Sequence, residues 1–571
     1  MIHKNLKTER SVSGRVADID DEKTSVLQNA KGFFPNSIEF KMHSFVRIVR
    51  IVLKACADLG RKTEKEFVPH FDHGIRGRGQ NEIHRFRFQG KGFPRISAFH
   101  FMNRSLHDLY NRIRQSSFSV HSKRSWKRKP FRFRFDTIAG FGSWILYIVL
   151  FLYWGKTSGK TDLILFLGVY VLLFAISFYP LWKGARREGE ASRLERRSKN
   201  PEIWFWGFLF RITCIFVFPV WEDDWARFLW DGFVTLETGT PYGKPPSLFF
   251  LESNLPAWSA EILSRINHPD VPTIYGPVLE VLFAVSAFCF PGSLFGLKIF
   301  YLGVETGFWF FLQKHIPKKE FRILYWCPLL VIETFAQAHP DFLGLLLMAG
   351  ASVLHSQKKN LGSGILLGLA CGVKTFGWIL FPFFLTDKTR IRFLFGFVSA
   401  FALPYLFFWS RGGVGGDGLL AFLQGWEFNA SFYSLFKIPF AVFFSEPSLW
   451  AGVLCLGLWG IFGIMNILSH KNGNTKAISN CFLWFFLFSP VVNSWYLLWA
   501  LFHWVRYPIL PGIIFLGAVP LSYISGRTLF AEGPQLQLYE NPISVRILEY
   551  SLVFLGIVVQ IIWQKAQNNK Q

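Results

Sequence analysis

The 571 residues are 51% apolar and 18% aromatic, yet they carry 62 Lys and Arg against 38 Asp and Glu, a net charge of +24. A soluble chain of this size divides into domains with short apolar runs, whereas runs here reach about 15 to 25 residues, enough to cross a hydrocarbon core of about 30 Å as helix, and no alternating strand pattern of a barrel is present. The basic excess does not mark a nucleic-acid partner, because 29 basic residues precede residue 136 and most others sit in short stretches between apolar runs, where they orient a membrane protein. The seven cysteines are scattered without a Cys-x-x-Cys, which speaks against a disulfide framework or structural zinc.

In chain order, residues 1–135 hold 8 of the 14 histidines and mixed charge without sustained periodicity, and little packed structure is expected there. The stretch lacks the apolar core and cleavage site of a signal peptide. Its basic tail, Lys123 to Arg134, would keep the N-terminus cytoplasmic. It reads either as a basic arm for anionic lipid or as an extension ahead of the true start.

From residue 136 to 564 the chain reads as an all-α, polytopic transmembrane helical bundle of about 11 to 13 membrane segments, with a basic cytoplasmic tail at 565–571. Runs 137–155 and 161–182 form a hairpin. The following loop, with Arg186, Arg187, Arg193, Arg196 and Arg197, is assigned to the cytoplasm. The run 203–220 then delivers Glu222-Asp223-Asp224 to the opposite side, at the start of a large first external loop, 221–275, expected to carry juxtamembrane helices. Later runs fall near 276–290, 294–313, 321–337, 341–355, 361–385, 391–410, 448–468, 476–489, 495–505, 507–525 and 545–563. Basic loops at Lys314 to Arg322, Lys358-Lys359, Lys388 to Arg392 and Lys471 to Lys476 all fit the cytoplasm only if some runs are interrupted. We therefore expect 276–290 to lie partly in the interface, and 361–385 to be a hairpin turning near Lys374 and Gly377. That scheme brings His339-Pro340-Asp341, Lys374, the second external loop 411–447 and Asn493 to the face that holds the acidic run.

Ionisable groups at membrane depth cost about 2.5–3.5 kcal/mol each on insertion scales, so a cluster of them needs a reason. After Pro219-Val220-Trp221, where a helix must end, the chain reads as an amphipathic helix on the membrane surface, with Asp224, Arg227 and Asp231 on one stripe. The plainer reading of that stripe is a solvated face on which Arg227 pairs with Asp224 and Asp231. His268 and Asp270 could ligate a metal but lack a third partner, so no cofactor is expected and a divalent metal is unsupported. Asp341 sits where it could cap a helix start. Lys374 lies inside an apolar run, where an ammonium wants an anion, and a lipid phosphate would serve.

Glu222-Asp223-Asp224-x-x-Arg227-x-x-Trp230-Asp231-Gly232, then Asn267-His268-Pro269, Pro272-Thr273-Ile274-Tyr275-Gly276-Pro277, His339-x-Asp341, Lys374 and Trp495-Tyr496-Leu497-Leu498-Trp499 together resemble the GT-C superfamily of membrane glycosyltransferases. Within it, bacterial polyprenyl-phosphate-mannose-dependent mannosyltransferases are similar over roughly residues 200–510. The pattern departs from that family in the hairpin preceding the acidic run, in Tyr275-Gly276-Pro277 where Tyr-Pro-Pro is usual, and in Asn493-Ser494-Trp495-Tyr496. The resemblance implies transfer of a hexose, with mannose favoured, from a polyprenyl-phosphate donor to a glycan or lipid acceptor among membrane lipids, outside a bacterial plasma membrane and with inversion. It implies Asp223 or Asp224 as general base, and Glu222, Arg227, Asp231, His268, Tyr275, His339, Asp341, Lys374, Asn493 and Tyr496 as substrate-binding residues. A transporter or flippase of lipid-linked sugars, or a surface-glycan polymerase or ligase, is the alternative. The first predicts two similar halves and the second a late key loop.

Overall fold

In lipid a backbone can satisfy its polar groups only within a helix or a closed barrel, and the apolar runs accordingly fold as helices. The computed structural model describes residues 135–153, 160–183, 201–385, 390–413, 416, 418–421, 426–528 and 541–569. The N-terminal stretch up to Arg134, the arginine-rich loop before residue 200, Lys388, part of the 411–447 loop and the last two residues of the tail lie outside the described residues.

The elements are α1 (Phe135–Tyr153), α2 (Lys160–Lys183), α3 (Pro201–Ile215), α4 (Trp225–Thr238), α5 (Ala257–Leu263), α6 (Pro277–Cys289), α7 (Leu294–Leu312) and α8 (Lys318–Trp326). They continue as α9 (Phe342–Ser356), α10 (Asn360–Val373), α11 (Arg390–Trp409), α12 (Phe432–Phe443), α13 (Pro447–Lys471), α14 (Ala477–Phe488), α15 (Leu498–Arg506), α16 (Leu510–Ala518) and α17 (Ile543–Asn568). Among the described residues six helices are long and apolar enough to cross a membrane: α1, α2, α7, α11, α13 and α17. The protein is thus an all-α, polytopic membrane bundle.

Three of the expected runs are interrupted. The helix of run 203–220 stops at Ile215, short of Pro219. Run 321–337 breaks at Cys327-Pro328, continues as Pro328–Val331 and closes as a π-helix, Ile332–Ala336. Proline cannot donate within the ladder and clashes with the preceding turn, which accounts for that break. Run 361–385 is the expected hairpin: α10 rises to Lys374, and a 3-10 turn, Thr375–Ile379, with the short helix Phe381–Phe384 returns the chain. Its far end meets α9, where the rings of His355 and Phe384 stack at 4.2 Å.

Small residues let α10 and α11 approach closely, the usual device where lipid offers no hydrophobic drive between helices. A Cβ on Gly364 would lie 2.1 Å from the Phe393 carbonyl oxygen, and one on Gly396 would lie 2.4 Å from that of Leu361. A second tie is electrostatic. Arg211 of α3 and Glu305 of α7 are fully buried and paired at 2.6 and 2.7 Å, with Trp309 Nε1 on Glu305 and the Gly207 and Tyr325 carbonyls on Arg211. Every charge there has partners, the condition under which a buried pair is tolerated.

The lysine-bearing turns 314–319 and 357–359 lie together at one end of the bundle. There Arg506 pairs with Glu320 at 2.8 Å and Gln357 Nε2 meets His315 Nδ1 at 3.0 Å. The breaks after Ile215, before Phe342, after Val373 and before Leu498 lie at the opposite helix ends.

Candidate active site

Glu222, Asp223 and Asp224 occupy the turn between α3 and α4. Glu222 is buried and the two aspartates are half-buried. Asp224 stands at the N-cap position of α4, yet its carboxylate makes no capping bond, which leaves it available to partners outside the helix. Asn267 Nδ2 donates to Asp223 Oδ1 at 2.5 Å. The Tyr275 hydroxyl reaches Asp224 Oδ2 at 3.5 Å, and His339 Nε2 stands 3.9 Å from the same oxygen. Burial, reinforced by the neighbouring Asp224 charge and opposed by hydrogen bonds including that of Asn267, raises the Asp223 carboxyl to about 7. Two adjacent carboxylates with different surroundings are a common way to separate acid–base roles.

His339 arrives on the opposite wall through a turn at Ala338, whose φ of +67° lies in the left-handed region. Its ring stacks on Trp495 at 3.8 Å. Nδ1 lies 2.8 Å from Glu333 Oε2, which assigns the proton to Nδ1 and turns Nε2 toward Asp224. Glu333 itself comes from the π-helix and also accepts from the hydroxyls of Ser494 and Tyr523. Sequence reading missed Glu333. Only its isolation as an acid inside an apolar run could have signalled it.

Lys374, at the apex of the hairpin, does not wait for a lipid phosphate as its only anion. Its ammonium donates to both oxygens of Asp341, at 2.9 and 2.8 Å, and Trp499 Nε1 donates to the same carboxylate at 2.7 Å. Asp341 is therefore no helix cap: it holds the N-cap position of α9 but makes no capping bond, because its oxygens are committed to Lys374 and Trp499. The ammonium lies 5.1 Å from the Tyr496 ring and 5.8 Å from that of Tyr275, and the Tyr496 N–H donates to the Asn493 carbonyl at 3.1 Å. Tyr275 is placed beside Lys374 by Gly276, whose N–H donates to the Val373 carbonyl at 3.3 Å. A Cβ there would fall 2.2 Å from the Gly372 oxygen. Gly276→Ala is thus expected to push the Tyr275 loop off the hairpin and cut turnover about 100-fold, the scale of a 1 Å misplacement, as initial-rate assays would show.

The stripe on α4 is not the solvated face one reading of the sequence allowed. Arg227 and Asp231 are buried and pair at 2.9 Å, and Arg227 Nη1 also donates to the Val271 carbonyl at 3.0 Å. No Arg227–Asp224 pair is found among the described residues. Beside them Thr273 Oγ1 donates to Glu280 at 2.8 Å, and the Tyr275 N–H donates to Thr273 Oγ1 at 3.3 Å. The group buttresses the Tyr275 loop from behind. His268 is exposed, with φ +49°, and meets Trp426 edge-on at 4.5 Å. Among the described residues no group of three or more His, Cys, Asp or Glu side chains is arranged to hold a metal ion. The fold therefore gathers Asp223, Asp224, Tyr275, His339, Asp341, Lys374, Asn493 and Tyr496 around one end of the bundle, with Arg227 and Asp231 behind them and His268 at the rim.

An acidic pair facing a carboxylate-oriented histidine and a paired lysine, at helix breaks of a membrane bundle, fits the sequence's resemblance to membrane glycosyltransferases of GT-C type. Comparison with known families gives the same class: residues 275–490 match the model of glycosyltransferase family 87. The protein is an enzyme that transfers sugars. The match contains Tyr275, His339, Asp341 and Lys374 and ends before Asn493, while the acidic run precedes it. Neither curated proteins nor solved structures gave a match.

Proposed function

We propose that the enzyme moves a hexose, mannose in the first instance, from a polyprenyl-phosphate donor to a hydroxyl of a glycan or lipid acceptor on the non-cytoplasmic side. The observation that carries this reading is the meeting of Asp223 and Asp224 with the matched region's Tyr275, His339 and Lys374 at the bundle end opposite the lysine-bearing turns. By the positive-inside rule those turns are cytoplasmic, in a bacterial plasma membrane as we read it. Asp223 takes the acceptor hydroxyl's proton as the new C–O bond forms at the anomeric carbon. The bond from that carbon to the phosphate oxygen breaks with its electron pair, which leaves on the lipid phosphate. One displacement inverts the anomeric centre.

Asp223 suits the base because its carboxyl titrates near neutrality, where a general base works best. Asp224, oriented by Tyr275, holds the acceptor. Lys374 shares its donors between Asp341 and the departing phosphate, whose growing charge needs fixed positive groups, and His339 stands beside it. Glu222, Arg227, Asp231, Asn493 and Tyr496 shape the pocket, and His268 takes the outer part of the acceptor.

The test is transfer from polyprenyl-phosphate mannose in membranes containing wild type, Asp223→Asn or Asp224→Asn. Wild type should consume donor, with Asp223→Asn reduced at least about 100-fold, a general base being worth about 10²–10⁴. Normal turnover by both variants would remove the assignment. If wild type consumes no polyprenyl-linked donor, the proposed donor is wrong.

A further inference from the structure

Lys298 lies in the first turns of α7 and is 1% exposed. Its ammonium donates to two backbone oxygens, Val217 at 2.5 Å and Ala336 at 3.0 Å, and among the described residues no carboxylate pairs with it. A buried ammonium without a carboxylate is costly in a membrane protein. The two acceptors explain why it is kept. Val217 follows the end of α3, and Ala336 closes the π-helix. Both are carbonyls of the kind that helix ends leave without intrahelical partners, at the end of the helix dipole that favours a cation.

From Val217 the chain runs on through Pro219 to Asp223 and Asp224, and from Ala336 through Gln337 to His339 and Asp341. The same two segments touch once more, where the Val220 N–H donates to Gln337 Oε1 at 3.2 Å. We infer that Lys298 is a positioning residue: it clasps the two interrupted helix ends and so sets the distance from the Asp223–Asp224 turn to the His339–Asp341 wall. It touches neither substrate. This inference rests on the proposed roles of those two walls, and a wild type that transfers no sugar would defeat that proposal before Lys298 is tested.

The experiment compares Lys298→Met, Lys298→Gln and Lys298→Arg in purified, detergent-solubilised full-length enzyme, by initial rates and by thermal unfolding. Met fills the space without a donor, Gln keeps one donor without charge, and Arg keeps charge and donors. The expected result is a kcat about 100-fold lower in Met, since misplacement by about 1 Å costs that much, with KM for donor and acceptor changed less than about threefold. Gln should fall between, and Arg should recover to within about tenfold of wild type. Wild-type kcat in a folded Met or Gln variant would overturn the inference, as would a loss expressed in KM alone. If Met and Gln both fail to fold while Arg is fully active, Lys298 is a folding tie only, and the inference falls.

Discussion

The rate of transfer is expected to rise with pH through about 7, and that midpoint should move down in Asp224→Asn and up in Asn267→Ala. The signs follow from what surrounds Asp223. Its carboxyl stands at about 7, raised most by burial and next by the Asp224 charge, and held down in part by hydrogen bonds including that of Asn267. Removing the Asp224 charge makes ionisation easier, so a base at Asp223 becomes active at lower pH. Removing the Asn267 donor makes ionisation harder. pH–rate profiles of kcat/KM in the three enzymes measure this directly, and midpoints that stay together would take the base away from Asp223.

The same shift has a stability side. A carboxyl raised from 3.8 to about 7 on folding binds more protons folded than unfolded. Its contribution is fully present below 3.8 and lost as pH rises to about 7. At pH 8 the ionised group costs the fold on the order of 4 kcal/mol at most, from about 1.4 kcal/mol per unit. Asp223→Asn should therefore unfold at a higher temperature than wild type at pH 8 while transferring almost nothing. That separates lost chemistry from a lost fold.

Lys374→Met is expected to be the most damaging change for stability at the site. It leaves the fully buried Asp341 carboxylate with only the Trp499 donor, and stripping one partner from a buried pair costs about 3–5 kcal/mol. The double variant Lys374→Met/Asp341→Asn removes the orphaned charge and should recover most of the melting temperature. On the proposed mechanism its transfer should stay at least about 100-fold down, because no ammonium would remain for the departing phosphate. A double variant that transfers like wild type would show that the pair only holds the hairpin together.

Much of the bundle was legible because membrane helices write long apolar runs and lysine-bearing turns into the chain. The hairpin apex at Lys374 followed from charge parity alone. The acidic turn was visible for the same reason: charges directly after an apolar run are conspicuous. Glu333 was not, since its partners Ser494 and Tyr523 are far along the chain, and no local period links them. Lys298 is hidden in the same way, its acceptors being backbone oxygens that carry no sequence mark. The stripe of α4 shows a different gap. Helical spacing found the Arg227–Asp231 pair, but whether that face meets water or Thr273 and Glu280 depends on how α4 packs against the loop and α6, which no window of sequence contains.

The polar walls are built where helices stop: after Ile215, between the π-helix Ile332–Ala336 and Phe342, at Lys374 and in the turn Ser494–Leu497. Such places carry fewer ladder bonds than the continuous spans around them, and locally weak segments open before the whole fold does. On slow heating in detergent, transfer should therefore fade several degrees below the temperature at which helical signal is lost. Donor and acceptor bound together, which on the proposed mechanism engage both walls, should close most of that gap.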